Sequence, residues 1–117
     1  MTLKEVAERL QLENLTPELP LDGGVEVAGG HVSDLLSDVL ANAPRHGLLV
    51  TIQVHMNVLA VAVHAGLAAV VFAAGRQPEP AVRAKAVQEE IPLLASKASA
   101  FDLVGQLYAL GIRGRRA

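Results

Sequence analysis

The chain has 117 residues, a formal net charge of −2 and no cysteine. Its length suits one domain with a hydrophobic core of its own. The composition is 51% hydrophobic and 19% charged, which argues against a disordered chain, and the weak negative charge argues against a nucleic-acid-binding surface. The lack of cysteine excludes a disulfide framework and a thiolate site.

The first element in chain order is a predicted helix over Thr2–Leu10, because Thr2 and Glu5 have the spacing of a capping box. A connecting loop follows to Gly24, with a brief strand near Leu12–Leu15. Residues 1–24 therefore form an N-terminal helix and loop, 25–111 a core, and 112–117 a basic tail that we expect to be frayed. All belong to a single domain.

The core repeats a unit of short apolar strand, polar turn and helix four times. The predicted strands lie near Val25–Ala28, Leu48–Val54, Ala68–Ala73 and Leu93–Ala95. The predicted helices lie near Ser33–Asn42, Met56–Ala65, Pro80–Glu90 and Ser99–Leu110, with Ser33 and Ser99 as N-caps. Strands that alternate with helices pair in parallel through right-handed crossovers. The fold class is therefore α/β, a three-layer α/β/α sandwich around a mainly parallel sheet of about four to five strands.

The uncharged segment 48–74 is long enough for a membrane span, which needs about 20 apolar residues. Polar residues at Thr51, Gln53, His55 and Asn57 interrupt it, so we predict a buried strand–helix–strand unit and no membrane association. The N-terminal stretch lacks a signal-peptide core, which predicts a cytoplasmic location.

The predicted helix Met56–Ala65 is apolar nearly all round and needs cover on both sides. Either the N-terminal segment or a second subunit would supply that cover. A homodimer is therefore expected.

Ligands of open parallel sheets bind beyond the carboxyl ends of the strands, near a topological switch point. Uncommon polar side chains collect in the turns expected there. The candidate ligand-binding residues are Gly29, Gly30, His31, Ser33, Gln53, His55, Asn57, Ser96 and Lys97. A nucleotide or similar anionic metabolite would meet the backbone of the glycine turn, polar groups on the next turn, and the charge of Lys97, with Arg76 as a second cation.

The turn Gly29–Ser33 has two interpretations. It is either a tight strand-to-helix turn capped by Ser33 or a weak anion-binding loop. No lysine follows it, and Asp34 in the first helical turn would repel a phosphate. Asp34, Ser37 and Asp38 are expected on a solvated helix face.

Metal binding and catalysis find little support in the sequence. His31 and His55 would meet across neighbouring strand ends, but no cysteine and no HExxH motif accompanies them, so no metal and no cofactor is predicted. A hydrolase or phosphotransferase would need one of these histidines as a general base beside a nucleophile, and crowding His31, Ser33 and Asp34 into one turn disfavours a triad. We predict that the chain is not an enzyme.

Three stretches, GGHVSDLLSDVLANA, TIQVHMNVLAVAV and IPLLASKASAFDLVGQLYALG, resemble the DRTGG-domain family over roughly Val25–Gly111. The resemblance implies a fold similar to the N-terminal domain of HPr kinase/phosphorylase and a regulatory, non-catalytic role. Stand-alone members look similar to proteins associated with redox subunits, which implies a redox or metabolic enzyme as a partner. The family's Asp-Arg pair is incomplete here, since Asp22 is followed by Gly23.

The leading hypothesis is a ligand-sensing regulatory module. The alternative is a dimeric interaction scaffold built on the apolar helix Met56–Ala65.

Overall fold

A five-stranded sheet forms the middle layer of the protein, in a computed structural model that describes residues 1–21 and 24–115. The strands are β1 (Glu13–Asn14), β2 (Gly30–Val32), β3 (Leu48–Thr51), β4 (Ala69–Phe72) and β5 (Leu93–Ala95). Their spatial order is β1-β5-β4-β3-β2; β2 to β5 are mutually parallel, and β1 pairs antiparallel with β5. The predicted mainly parallel sheet is confirmed.

Helices cover both faces of this sheet. They are α1 (Leu3–Arg9), α2 (Leu36–Asn42), α3 (Asn57–Ala65), α4 (Pro80–Gln88) and α5 (Ala100–Ala109). Because β2 to β5 are neighbours in chain order, the right-handed crossovers between them place α2, α3 and α4 on one face. α1 and α5 pack on the other face, which confirms the three-layer sandwich.

The core lies on both sides of the sheet, which explains the continuous aliphatic runs of the sequence. Leu49, Val70 and Phe72 belong to the cluster under α2, α3 and α4. Leu48 and Val71, with the opposite strand parity, belong to the cluster under α1 and α5. A strand buried on both faces has no need of alternating polar residues.

The helix signals at α1 and α5 act as the sequence predicts. Thr2 and Glu5 form the reciprocal capping box of α1. The Ser99 hydroxyl accepts a hydrogen bond from the backbone N–H of Asp102 at the start of α5. Gly111, just after α5, has a positive φ of 98°, which glycine adopts without steric cost.

The predicted strand at Val25–Ala28 is wrong, because the strand of the sheet is Gly30–Val32. Residues 25–28 pair instead with the N-terminus and the α2–β3 loop: the N–H of Leu3 donates to the Val25 carbonyl, and that of Ala28 donates to His46. Glycine lets β2 approach the segment after α5 closely, since a Cβ on Gly29 would lie 2.9 Å from the carbonyl oxygen of Arg113.

The predicted start of α2 at Ser33 is also wrong. The helix begins at Leu36, and the Ser33 hydroxyl accepts from the N–H of Leu35 in a turn before it. The Asp34 carboxylate accepts hydrogen bonds from Thr51 at the end of β3 and from Ile52, not from the first turn of α2.

The predicted frayed tail is wrong for the residues up to Arg115, because this segment after α5 packs against the rest of the protein. The Arg113 carbonyl accepts from the N–H of Gly30, its guanidinium lies 3.8 Å from the centre of the Tyr108 ring, and Arg115 donates to the Ala41 carbonyl. Arg116, like the predicted family position Asp22, lies outside the described residues.

Within the described residues, no helix is long and apolar enough to cross a membrane. The outward face of α3 is exposed there, with Val63 47% exposed. Of the two covers expected for this helix, the N-terminal segment does not supply one, because α1 packs on the opposite face of the sheet. Cover by a second subunit stays a prediction.

Candidate functional site

The carboxyl edge of the sheet carries two neighbouring cavities. The first, here called the β3–β4 cavity, has a volume of about 360 Å³ and is lined by the β3–α3 loop and the start of α4. Gln53, His55, Arg76 and Glu79 supply its polar groups. Two of the predicted site residues, Gln53 and His55, are thus brought together with the predicted second cation.

The second cavity, here called the β4–β5 cavity, has a volume of about 420 Å³. Ser96 and Lys97 line it, as do Glu13, Gln77 and Gln106. Sequence reasoning missed these last three, because they come from β1, the β4–α4 loop and α5, which no local pattern connects.

The β4–α4 loop separates the two cavities, since Arg76 lines one while Gly75 and Gln77 line the other. Its backbone is not a free anion-binding loop. The N–H of Ala74 donates to Ala98, that of Gly75 to Ser96, and that of Arg76 to Ala73. An anion at this edge would therefore be bound by side chains rather than by this turn.

The strand order provides no topological switch point among the described parallel strands. From β2 to β5 the strands are neighbours in chain order, so within the described residues no reversal among the parallel strands opens a crevice. The two cavities form instead where the β3–α3, β4–α4 and β5–α5 loops diverge from the strand ends.

Asp34 connects the end of β2 to the end of β3. One carboxylate oxygen accepts from the Thr51 hydroxyl at 2.7 Å and from the N–H of Ile52 at 2.9 Å. The backbone carbonyl of Asp34 accepts from the side-chain amide of Gln53 at 3.3 Å. Asp34 is exposed, but it precedes α2 and its carboxylate is hydrogen-bonded, so the predicted position on the helix face is wrong. Asp34 instead fixes the loop that carries Gln53 into the β3–β4 cavity.

His31 and His55 do not pair. The His31 ring lies on β2 and contacts the Asp38 carboxylate of α2 at 2.8 Å, whereas His55 lines the β3–β4 cavity. Asp38 also accepts from the Asn42 amide at 2.7 Å, so it is engaged rather than merely solvated. Among the described residues, no three metal-ligating side chains form a group.

Hydrogen bonds from Asn42 and His31 lower the pKa of Asp38 from 3.8 to about 2. A carboxyl whose folded pKa lies below its unfolded value stabilises the fold above pH 4, and that contribution is lost as the pH falls toward 2. Following the Asp38 carboxyl carbon by NMR should give a midpoint near 2. Asn42→Ala should move the midpoint upward, and an unchanged midpoint in that variant would show that the amide is not the main cause.

Gly29 and Gly30 lie away from both cavities. Gly30 pairs in register with Leu48 at the amino end of the parallel strands, so the predicted placement of the glycine turn at the carboxyl edge is wrong. Asn57 begins α3 and lines an outer groove shared with Lys85 and Glu89 rather than the β3–β4 cavity. The predicted site residues are therefore divided among several places.

Comparisons with known proteins show the fold alone. No protein-family profile and no curated protein matches the chain. Among solved structures, it is similar to the regulatory region of Clostridium perfringens pyrophosphatase, with its CBS and DRTGG domains, complexed with the activator diadenosine tetraphosphate. The TM-score is 0.66 at 11% sequence identity, and the match covers 89% of this chain and 44% of that chain. This likeness confirms the α/β fold class and supports a DRTGG-like fold.

Proposed function

We propose that this chain is a non-catalytic regulatory module that binds an anionic nucleotide at the carboxyl edge of its sheet. The observation that carries the proposal is the β3–β4 cavity, where Gln53, His55 and Arg76 converge. The similarity of the fold to a pyrophosphatase regulatory region complexed with a nucleotide activator supports it.

The chemistry of the β3–β4 cavity suits such a ligand. Small-molecule sites have volumes of roughly 300–1,000 Å³ with a few convergent polar groups, and this cavity falls in that range. The guanidinium of Arg76 would donate two parallel hydrogen bonds to a phosphate. The Gln53 amide and the His55 ring offer hydrogen bonds to a sugar or base.

Lys97 would supply a second positive charge from the neighbouring β4–β5 cavity. Because only the β4–α4 loop separates the cavities, a chain of several phosphates would cross that loop between Arg76 and Lys97. A ligand with a short or absent phosphate chain would reach only one of the two cations.

The pair of His31 and Ser33 gives little support for catalysis. A general base has to lie about 3 Å from the group whose proton it takes. His31 is engaged by Asp38, and the Ser33 hydroxyl is engaged by the backbone of Leu35. A sensing role needs no such base, which favours the regulatory interpretation.

The test is a thermal-shift and calorimetric titration with diadenosine tetraphosphate, ATP, tripolyphosphate and uncharged adenosine. A ligand at a hundred times its dissociation constant stabilises by about 2.7 kcal/mol, which a domain of this size shows as several degrees. Arg76→Ala should weaken binding at least about tenfold, since a charge-assisted hydrogen bond contributes about 1.5–3 kcal/mol. Lys97→Ala should weaken the polyphosphate ligands most.

The matched control is Arg45→Ala, which removes an exposed arginine between α2 and β3, at the other edge of the sheet. It should leave affinity unchanged. Equal losses in the Arg45 and Arg76 variants would indicate unspecific attraction between charges, and binding of none of the four compounds would contradict the proposal.

A dimeric scaffold is the second candidate, favoured by the exposed outer face of α3. Met56 and Val63 are both exposed there, beside a groove lined by Lys85 and Glu89. If this face docks a redox or metabolic enzyme, Val63→Lys should abolish that association while leaving nucleotide binding intact.

A further inference from the structure

β2 is an open edge of the sheet, because β3 is its one neighbouring strand among the described residues. The N–H of Leu48 donates to Gly29 and that of Ser33 donates to Val50, so the odd-numbered residues of this stretch face β3. In a parallel pair the backbone groups of the alternate residues, Gly30 and Val32, then face outward.

The segment after α5, as far as Arg115, pairs with the outward backbone N–H of Gly30 but not with that of Val32. The Arg113 carbonyl accepts from the N–H of Gly30 at 2.8 Å. The outward N–H of Val32 has no backbone partner within residues 1–21 and 24–115. Unpaired strand edges of this kind are templates for pairing with another strand, and proteins usually cover or charge them.

Apolar side chains flank the uncovered part of the edge. Val32 is 49% exposed and lines an apolar hollow of about 280 Å³ with Tyr108 of α5. Leu35, which follows the strand, is 65% exposed. Single exposed apolar residues are ordinary, but Val32 and Tyr108 line the same hollow beside this unpaired backbone edge.

One end of this edge is basic and the other is acidic, so two copies in opposite orientation would be complementary in charge. Arg113 and Arg115 lie at the amino end of β2, through their contacts with Gly30 and Ala41. Asp34 lies just beyond the carboxyl end of β2. A second copy running antiparallel would place its acidic end against the basic end of the first.

We propose that β2 pairs antiparallel with β2 of a second copy of this chain, about a two-fold axis at Val32. Val32 and its symmetry mate would exchange two backbone hydrogen bonds, and the two sheets would become one of ten strands, five from each copy. The contact is isologous, so both copies bury the same patch and the assembly closes as a dimer. Each copy's basic segment then lies against Asp34 of the partner subunit.

Sedimentation equilibrium of the wild type, Val32→Lys and Val63→Lys tests this proposal. Two lysines directly opposite each other across the axis repel, so Val32→Lys should be monomeric while the wild type is dimeric. Val63 is a matched control, since it is a similarly exposed valine on the outer face of α3. Val63→Lys should remain a dimer.

A second variant pair guards against misfolding of Val32→Lys. The chain has no cysteine, so a single introduced thiol reports on one position. Val32→Cys should form a disulfide-linked dimer under mild oxidation, and Val63→Cys should not. A monomeric wild type, or loss of the dimer in Val63→Lys alone, would overturn the proposal, and neither result bears on nucleotide binding.

Discussion

Replacing Phe72 by alanine is expected to lower the free energy of unfolding by about 3–5 kcal/mol, the range for a large buried aromatic side chain. Phe72 lies on β4 and is fully buried against the layer of α2, α3 and α4. The loss would consume a large part of the 5–15 kcal/mol that holds a typical domain folded. Urea unfolding followed by circular dichroism measures it.

The chain contains its own control for this substitution. Phe101, the other phenylalanine, is 88% exposed at the start of α5, and Phe101→Ala should change stability by less than about 0.5 kcal/mol. Phe72→Leu keeps most of the buried volume and should cost less than Phe72→Ala. Similar losses for the two alanine variants would mean that Phe72 is not packed as described.

Asp34→Ala is expected to destabilise the protein by about 1.5–3 kcal/mol, the contribution of hydrogen bonds to a charged group. The substitution leaves the buried Thr51 hydroxyl and the N–H of Ile52 without their acceptor. The melting temperature should fall by roughly 5–15 °C. A thermal melt followed by circular dichroism gives this directly.

Asp34→Asn separates the hydrogen bonds from the charge. The amide oxygen of asparagine can still accept from Thr51 and Ile52, so this variant should lose clearly less stability than Asp34→Ala. If the two variants melt at the same temperature, the negative charge rather than the acceptor geometry is what matters. Thr51→Val removes only the hydrogen bond between Thr51 and Asp34 and leaves the bond from Ile52. It should therefore destabilise the protein as much as Asp34→Ala only if the Thr51 bond makes the larger contribution.

The hydrogen bonds of Asp34 and Thr51 that stabilise the fold also position Gln53 of the proposed site. Gln53 donates its backbone N–H to the Thr51 hydroxyl and its side-chain amide to the Asp34 carbonyl. The polar group that enters the β3–β4 cavity is therefore positioned by the end of β2. Such support from outside the cavity is what holds a binding group in a fixed orientation.

The sequence by itself determined the elements whose signals are local. The aliphatic runs at Leu48–Thr51 and Ala69–Phe72 suit strands buried on both faces, and these strands lie within the predicted spans. The capping box of Thr2 with Glu5 and the cap at Ser99 lie within a few residues of the groups they satisfy. A short range of chain contains all the information that such signals need.

Tertiary structure alone decided the edge of the sheet and the composition of the site. Val25–Ala28 has the stronger strand pattern, yet Gly30–Val32 joins the sheet, because residues 25–28 pair with the N-terminus and the glycines admit the segment at Arg113. These partners are distant in sequence, so no local pattern identifies them.

Contacts between residues distant in sequence also explain why the predicted site residues lie in several places rather than in one cavity. Gln53 and His55 met Arg76 because the ends of β3 and β4 are neighbours in the sheet, while Gly29 lies beside the amino end. Parallel pairing fixes which loops share an edge, but a strand displaced along the chain moves its flanking residues to the other edge. The register of β2, set by long-range contacts, therefore decided which candidates could share a cavity.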